Sequence, residues 1–224
     1  MDPKRAVGRF AADLVEDGQA VGLGTGSTVF FALERLAERI DQENLRVTCV
    51  PTSKDTEQKA RRQSIPLASL QAEPEPAICI DGADEVGPGK ALIKGGGGAL
   101  TREKIVAASS QELIVIVSEN KMVDMLGKSF LLPVECLPFA EPLVQARLQE
   151  LGLTPFLRTK ESGEVSVTDN GMYIFDCRCN GIEDPEQLER QINMIPGVVE
   201  NGLFVGLAGR ILIGKADGSV EVRD

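Results

Sequence analysis

The run Lys94-Gly95-Gly96-Gly97-Gly98-Ala99-Leu100-Thr101-Arg102-Glu103-Lys104 puts a cation, a bare stretch of backbone and a carboxylate on one short segment. Four consecutive glycines can take φ > 0 and bring their N–H groups close to a ligand, because no Cβ stands in the way. Glu103 falls in the expected first turn of a helix continuing through Ile105-Val106-Ala107-Ala108. Such a segment can hold an oxygen-rich anion on amide donors and a lysine while the carboxylate moves a proton on it. Glycine runs also serve as linkers, and a first-turn glutamate offsets the helix dipole without doing chemistry. Residues elsewhere must decide between these roles.

Two further stretches carry chemistry. Gly24-Thr25-Gly26-Ser27-Thr28 follows the short apolar run Ala20-Val21-Gly22-Leu23 and precedes a helical stripe of Val29, Leu33, Leu36, Ala37 and Ile40. A small-residue loop between strand and helix offers orphan N–H groups and hydroxyls to a phosphate; a capped turn that binds nothing is the plainer alternative. A dinucleotide loop fits less well: the glycine spacing is partial, and the next strand ends in Pro51-Thr52-Ser53 without a ribose-binding acid. Asp81-Gly82-Ala83-Asp84-Glu85 then puts three carboxylates at the end of the buried strand Ala77-Ile78-Cys79-Ile80. They are costly there unless solvated, paired or used. They suit a divalent metal or the positive charge of a nearby lysine, although Asp-Gly is also an ordinary turn signal. Lys121, just past the apolar run Leu113-Ile114-Val115-Ile116-Val117, is expected on the same rim as Thr25, Asp81 and Lys94.

Composition narrows the chemistry. The chain has 224 residues and no histidine. Histidine triads and histidine metal sites are therefore excluded, and a general base near neutral pH must be a carboxylate, a lysine or a cysteine with a shifted pKa. A net charge of −10 argues against nucleic acid as a partner, yet leaves room for local phosphate binding. No apolar run is long enough to span a bilayer and no secretory segment is visible, so no membrane partner is expected and the cytoplasm is the default. The five cysteines are scattered, and Cys177-Arg178-Cys179 lacks the second pair that a zinc site needs.

Alternating strands and helices over the first 129 residues predict a Rossmann-like open, parallel-rich α/β sheet flanked by helices, with residues 207–224 returning to it as strands. Asp2-Pro3 reads as cap and first position of an opening helix, Leu45–Val50 and Ile65–Ala68 as strands, and Asp55–Gln63 as a short helix. From about Phe130 the texture changes. The order β-α-β-β-α-β over 130–206, with helices at Glu141–Leu151 and Pro185–Ile195 and one last strand supplied by Val198-Val199 and Leu203-Phe204-Val205, predicts a second, smaller ferredoxin-like α+β domain.

Taken together, in this order and at these separations, the three motifs resemble ribose-5-phosphate isomerase of the A type. The similarity continues through Leu132-Pro133-Val134-Glu135, Val167-Thr168-Asp169-Asn170-Gly171 and Ile195-Pro196-Gly197-Val198-Val199, and so covers essentially the whole chain. The resemblance implies interconversion of D-ribose 5-phosphate and D-ribulose 5-phosphate through a cis-enediolate, without metal or cofactor, in a homodimer or homotetramer. It implies Glu103 as the base, with Asp81, Asp84 and Lys94 as its catalytic partners. It implies substrate contacts at Thr25, Gly26, Ser27 and Thr28, at Asp81, Gly82, Ala83 and Asp84, at Lys94, Gly95, Gly96 and Gly97, and at Lys121. Lys4 corresponds to a lysine near the family's N-terminus. Asn120 stands where the family often has serine. A sugar-phosphate sensor would use the same cradle without turnover. An amino-sugar phosphate isomerase/deaminase is disfavoured by the absence of histidine.

Overall fold

A computed structural model describes residues 2–224. The chain divides into two compact units, one made of the residues up to Ala83 with Arg102–Lys121 and Leu207–Asp224, the other of Asp84–Thr101 and Met122–Gly206. Elements are numbered along the whole chain.

The first unit is built on six strands: β1 (Ala20–Leu23), β2 (Thr48–Pro51), β3 (Ile78–Asp81), β6 (Leu113–Ser118), β12 (Ala208–Gly214) and β13 (Val220–Arg223). Their order is β13-β12-β6-β3-β1-β2. All neighbours run parallel except the hairpin partner β13. The parallel strands are apolar runs because helices cover such sheets. Val21, Leu23, Ile80, Ile114, Ile116 and Leu212 share one core with Val29, Leu33 and Leu36 of α2 (Ser27–Gln42). The opening helix α1 (Pro3–Asp13) starts as expected: the Asp2 carboxylate accepts the Lys4 N–H at 3.0 Å and Pro3 takes a position where no donor is needed. A Cβ at Gly8 would stand 2.8 Å from both Phe31 Cβ and Thr28 O, so glycine lets α1 lie directly on α2. Helices α3 (Lys54–Arg62) and α4 (Leu100–Ser109) complete the set.

The second unit carries the expected β-α-β-β-α-β order: β7 (Leu132–Cys136), α5 (Glu141–Glu150), β8 (Thr154–Leu157), β9 (Tyr173–Arg178), α6 (Pro185–Asn193) and β10 (Val198–Asn201). The sheet order is β10-β7-β9-β8, antiparallel throughout. Phe175, Leu132, Val134, Val144, Leu148 and Ile192 form its core. A smaller sheet joins β4 (Glu85–Val86), β5 (Leu92–Ile93) and β11 (Leu203–Phe204) in the order β11-β5-β4.

Several local readings are revised. The single last strand across Val198–Val205 is two, β10 and β11, in different sheets. Gly202 makes the break: its N–H donates to Pro133 O at 2.8 Å, its carbonyl accepts the Lys94 N–H at 2.9 Å, and a Cβ there would overlap Lys94 O. β2 begins at Thr48 rather than Leu45, and Ile65–Ala68 supplies only one bridge, Cys49 with Leu67. Residues 84–101 and 122–129 group with the second unit rather than with the first 83, because β4 pairs with β5, β5 pairs with β11, and Val86 bridges to Met122. Among the described residues no helix is long and apolar enough to cross a membrane.

Candidate active site

Strands β1 and β3 are neighbours in the six-stranded sheet, with β2 beyond one and β6 beyond the other. Where connections diverge from adjacent parallel strands, a crevice opens beyond their carboxyl ends. Gly24 and Thr25 leave β1 at that edge, and Asp81 ends β3. Asp81 is fully buried (0% exposed). Its Oδ1 accepts the N–H groups of Thr25 at 3.1 Å and Gly82 at 2.7 Å. The Gly24 N–H donates to Ile80 O at 2.9 Å, and a Cβ on Gly24 would overlap the Asp81 carboxylate. Glycine at this position is therefore a condition for Asp81 to sit where it does.

The Thr25 hydroxyl faces a buried cluster: it lies 2.9 Å from Thr52 Oγ1, donates to Ser53 Oγ at 2.8 Å and lies 3.1 Å from Thr56 Oγ1. Thr56 in turn donates to Gly24 O at 2.7 Å. Ser53 also caps α3, accepting the Thr56 N–H at 3.0 Å. The sequence Pro51-Thr52-Ser53, unpromising as a nucleotide motif, thus braces the turn that holds Asp81. Gly26, at φ 127°, opens α2 with no side-chain cap, so the first N–H groups of that helix remain for an anion. Lys4 Nζ donates to Ser27 Oγ at 3.0 Å, bringing a cation to the same place. Gly26 and Ser27 are exposed and Thr28 half-buried. Lys121 is half-buried just beyond β6, next to Asn120, whose Oδ1 accepts the Ser118 hydroxyl at 2.6 Å.

The second unit holds the other residues. The Asp84 N–H donates to Ile93 O at 2.8 Å, and Asp84 Oδ2 accepts the Gly96 N–H at 2.8 Å. Gly95 at φ 102° and Gly98 at φ 78° close a turn in which the Gly98 N–H donates to Gly95 O at 3.0 Å. A Cβ at Gly96 would lie 2.9 Å from both Asp84 Oδ1 and Phe130 Cζ. Lys94 is 2% exposed, its ammonium 5.3 Å from the centre of the Phe204 ring, a cation–π contact. Glu85, the third acid of the motif, serves the fold: it accepts the Gly127 N–H at 2.7 Å and the Ser129 hydroxyl at 2.8 Å. The chain passes from this unit back to the first within α4, whose first turn carries Glu103, 4% exposed. Among the described residues no group of three or more Cys, Asp or Glu is arranged to hold a metal.

The family model for ribose 5-phosphate isomerase A (phosphoriboisomerase A) matches residues 48–218. The chain belongs to the ribose 5-phosphate isomerase A family. A ribose-5-phosphate isomerase A of Thermosynechococcus vestitus is 48% identical over 99% of this chain and 95% of that protein. The structure of ribose 5-phosphate isomerase A from Methanocaldococcus jannaschii, 41% identical, matches at a TM-score of 0.95 over 100% of this chain and 98% of that one. A D-ribose-5-phosphate isomerase solved in complex with phospho-erythronic acid matches at 0.96, with 35% identity and the same coverage, 100% and 98%.

For this isomerase-family chain, sequence reading passes over four residues around the motifs. Thr52, Ser53 and Thr56 are seen only as a strand end and a polar helix. Glu135, fully buried on β7, accepts the Thr101 hydroxyl at 2.5 Å, the Thr168 hydroxyl at 2.8 Å and Asn170 Nδ2 at 3.3 Å, and so ties down the start of α4. The only signal for it is that Leu132–Glu135 and Val167–Gly171 both fall within the family resemblance. In four of the five cysteines burial raises the thiol: Cys49 up to about 12, Cys136 and Cys179 to about 11, and Cys177 as well. Because the thiolate is the reactive form, these four are expected to resist iodoacetamide at pH 8 in the native protein and to react once it is unfolded. Mass-spectrometric detection of rapid native labelling at any of them would contradict this.

Proposed function

We propose that this chain interconverts D-ribose 5-phosphate and D-ribulose 5-phosphate, with Glu103 as the base that carries the proton between C2 and C1. Glu103 takes the proton from C2 of the open-chain aldose, and negative charge gathers on O1. Lys94 and the N–H groups of Gly95 and Gly97 stabilise the resulting cis-enediolate, the Gly96 N–H being held by Asp84. The O2 proton is passed to O1 with the help of Asp81, which also assists ring opening. Glu103 then returns its proton to C1, leaving a carbonyl at C2. Asp84 orients the glycine loop through the Gly96 N–H. Gly26, Ser27 and Thr28 at the start of α2, with Lys4 and Lys121, take the phosphate. Thr25 contributes through its N–H, which holds Asp81, and Gly82 and Ala83 complete that edge.

The observation that carries this reading is Glu103 itself: a buried carboxylate in the first helical turn after a glycine run, in a family member without histidine. Phospho-erythronic acid, the ligand of one related isomerase, is an anion of the expected class, with a carboxylate at one end and a phosphate at the other. We place the step in the non-oxidative pentose phosphate pathway, and in the Calvin cycle if the host is photosynthetic. The working form is a cytoplasmic homodimer or homotetramer that needs neither metal nor cofactor.

The test is an assay of ribose 5-phosphate in heavy water with EDTA present. Ribulose 5-phosphate is expected to accumulate, with deuterium entering at the exchanging carbon. A chain that binds the sugar phosphate without turnover or exchange is a sensor and not an isomerase. Activity that EDTA abolishes and added metal restores would overturn the metal-free mechanism.

A further inference from the structure

Arg158 lies outside every motif, yet it touches the glycine loop. It follows β8, where its N–H donates to Ile174 O at 2.8 Å and its carbonyl accepts the Ser166 N–H at 2.9 Å. Its guanidinium is used on three sides. Nε donates to Asp176 Oδ2 at 2.8 Å and Nη2 to Asp176 Oδ1 at 2.5 Å, a two-pronged pair with both side chains mostly buried. Nη1 donates to the carbonyls of two successive glycines, Gly95 at 3.1 Å and Gly96 at 3.2 Å.

That double contact has a consequence fixed by peptide geometry. In a trans peptide the C=O and the following N–H point in opposite directions, and no cis peptide is present among the described residues. Holding Gly95 O on the guanidinium side aims the Gly96 N–H the other way, where Asp84 Oδ2 accepts it at 2.8 Å. Holding Gly96 O on the same side turns the Gly97 N–H away from Arg158 as well. A charged donor on each carbonyl also polarises its amide and strengthens the opposite N–H as a donor. Four glycines in a row have no intrinsic preference for this arrangement, so something outside the loop must impose it.

We propose that Arg158, held by Asp176, is a positioning residue for the reaction: it sets the peptide planes of Gly95–Gly97 so that one N–H fixes Asp84 and the next is presented to the developing oxyanion. The inference rests on the isomerase reading above. Lysine cannot replace arginine, because one ammonium on a flexible stem cannot span a carboxylate and two carbonyls in a plane.

The experiment uses the full chain and compares wild type with Arg158→Lys, Arg158→Ala and Asp176→Asn in steady-state assays with ribose 5-phosphate. Misplacing a donor by about 1 Å costs on the order of a hundredfold in rate, so kcat is expected to fall about tenfold to a hundredfold in both Arg158 variants, and less in Asp176→Asn. KM is expected to change by less than about threefold, since the phosphate grip is untouched. Adding guanidinium ion is expected to restore part of the lost kcat in Arg158→Ala and none in Arg158→Lys, where the side chain fills the space. If Arg158→Ala does not fold, Arg158→Lys carries the test through its kcat. Wild-type kcat in Arg158→Lys, or a loss confined to KM, overturns the positioning role. An inactive wild type instead overturns the isomerase reading, and the inference with it.

Discussion

Replacing Glu103 with Gln is expected to lower kcat by about three orders of magnitude, in the range that a positioned acid–base group contributes, with KM within about threefold of wild type. Glutamine keeps the size and hydrogen-bonding reach of the side chain but cannot take up the C2 proton. Removing an interaction made only in the transition state lowers kcat and kcat/KM together. No histidine exists in the chain to take over, and the carboxylate is nearly shut off from solvent at 4% exposure, so a water relay is a poor substitute. Deuterium exchange from solvent should fall in step with turnover. The measurement is a steady-state assay alongside a melting curve. Near-normal turnover in the variant would remove Glu103 from the base role and return attention to Asp81.

Gly24→Ala is expected to reduce kcat/KM by about a hundredfold, although the change is one methyl and lies on the backbone. The new Cβ overlaps the carboxylate of Asp81. Neither side can yield easily. The Gly24 backbone is tied to Ile80 O through its N–H and to the Thr56 hydroxyl through its carbonyl, at 2.9 and 2.7 Å. Asp81 is tied to the amides of Thr25 and Gly82. Forcing a methyl into such a place costs about 1–3 kcal/mol of stability. The displaced carboxylate also loses its place at the edge shared by β1 and β3. A double-mutant cycle isolates the contact. Removing the carboxylate first, in Asp81→Ala, should shrink the stability cost of Gly24→Ala without abolishing it, because the Cβ of residue 81 still stands 2.6 Å from the new methyl, whereas independent effects would simply add. Additivity, or wild-type kcat/KM in the single variant, would show that the steric account is wrong.

The candidate site residues stood out because the runs that carry them are unusual in composition. Four glycines between a lysine and a glutamate, and three acids at the end of an apolar strand, stand out against any globular background. The broad architecture was legible for a related reason: buried parallel strands are uninterrupted apolar runs and helices repeat every three to four residues, so both leave local patterns. The ferredoxin-like order followed from the same periodicities. Two-residue strands carry no period, so β4 and β5 were invisible and β11 was read only as the end of the strand that holds β10. Also invisible was the grouping of residues 84–101 with the second unit, which depends on the pairing of those strands.

What the sequence determined by itself was the inventory: which acids, lysines and glycines exist, and which loops carry them. What only the tertiary structure decided was the direction in which each polar group is spent. Thr25 turns its hydroxyl toward Thr52, Ser53 and Thr56 and offers Asp81 its amide. Glu85 holds the backbone at Gly127 while Asp84, one residue earlier, holds Gly96. Arg158 reaches glycines 63 and 62 positions away in the chain, and Glu135 reaches Thr101 across 34. A hydrogen bond depends on distance and angle in space and leaves no periodic mark along the chain. The partners of buried donors and acceptors are therefore set by how the strands and loops pack.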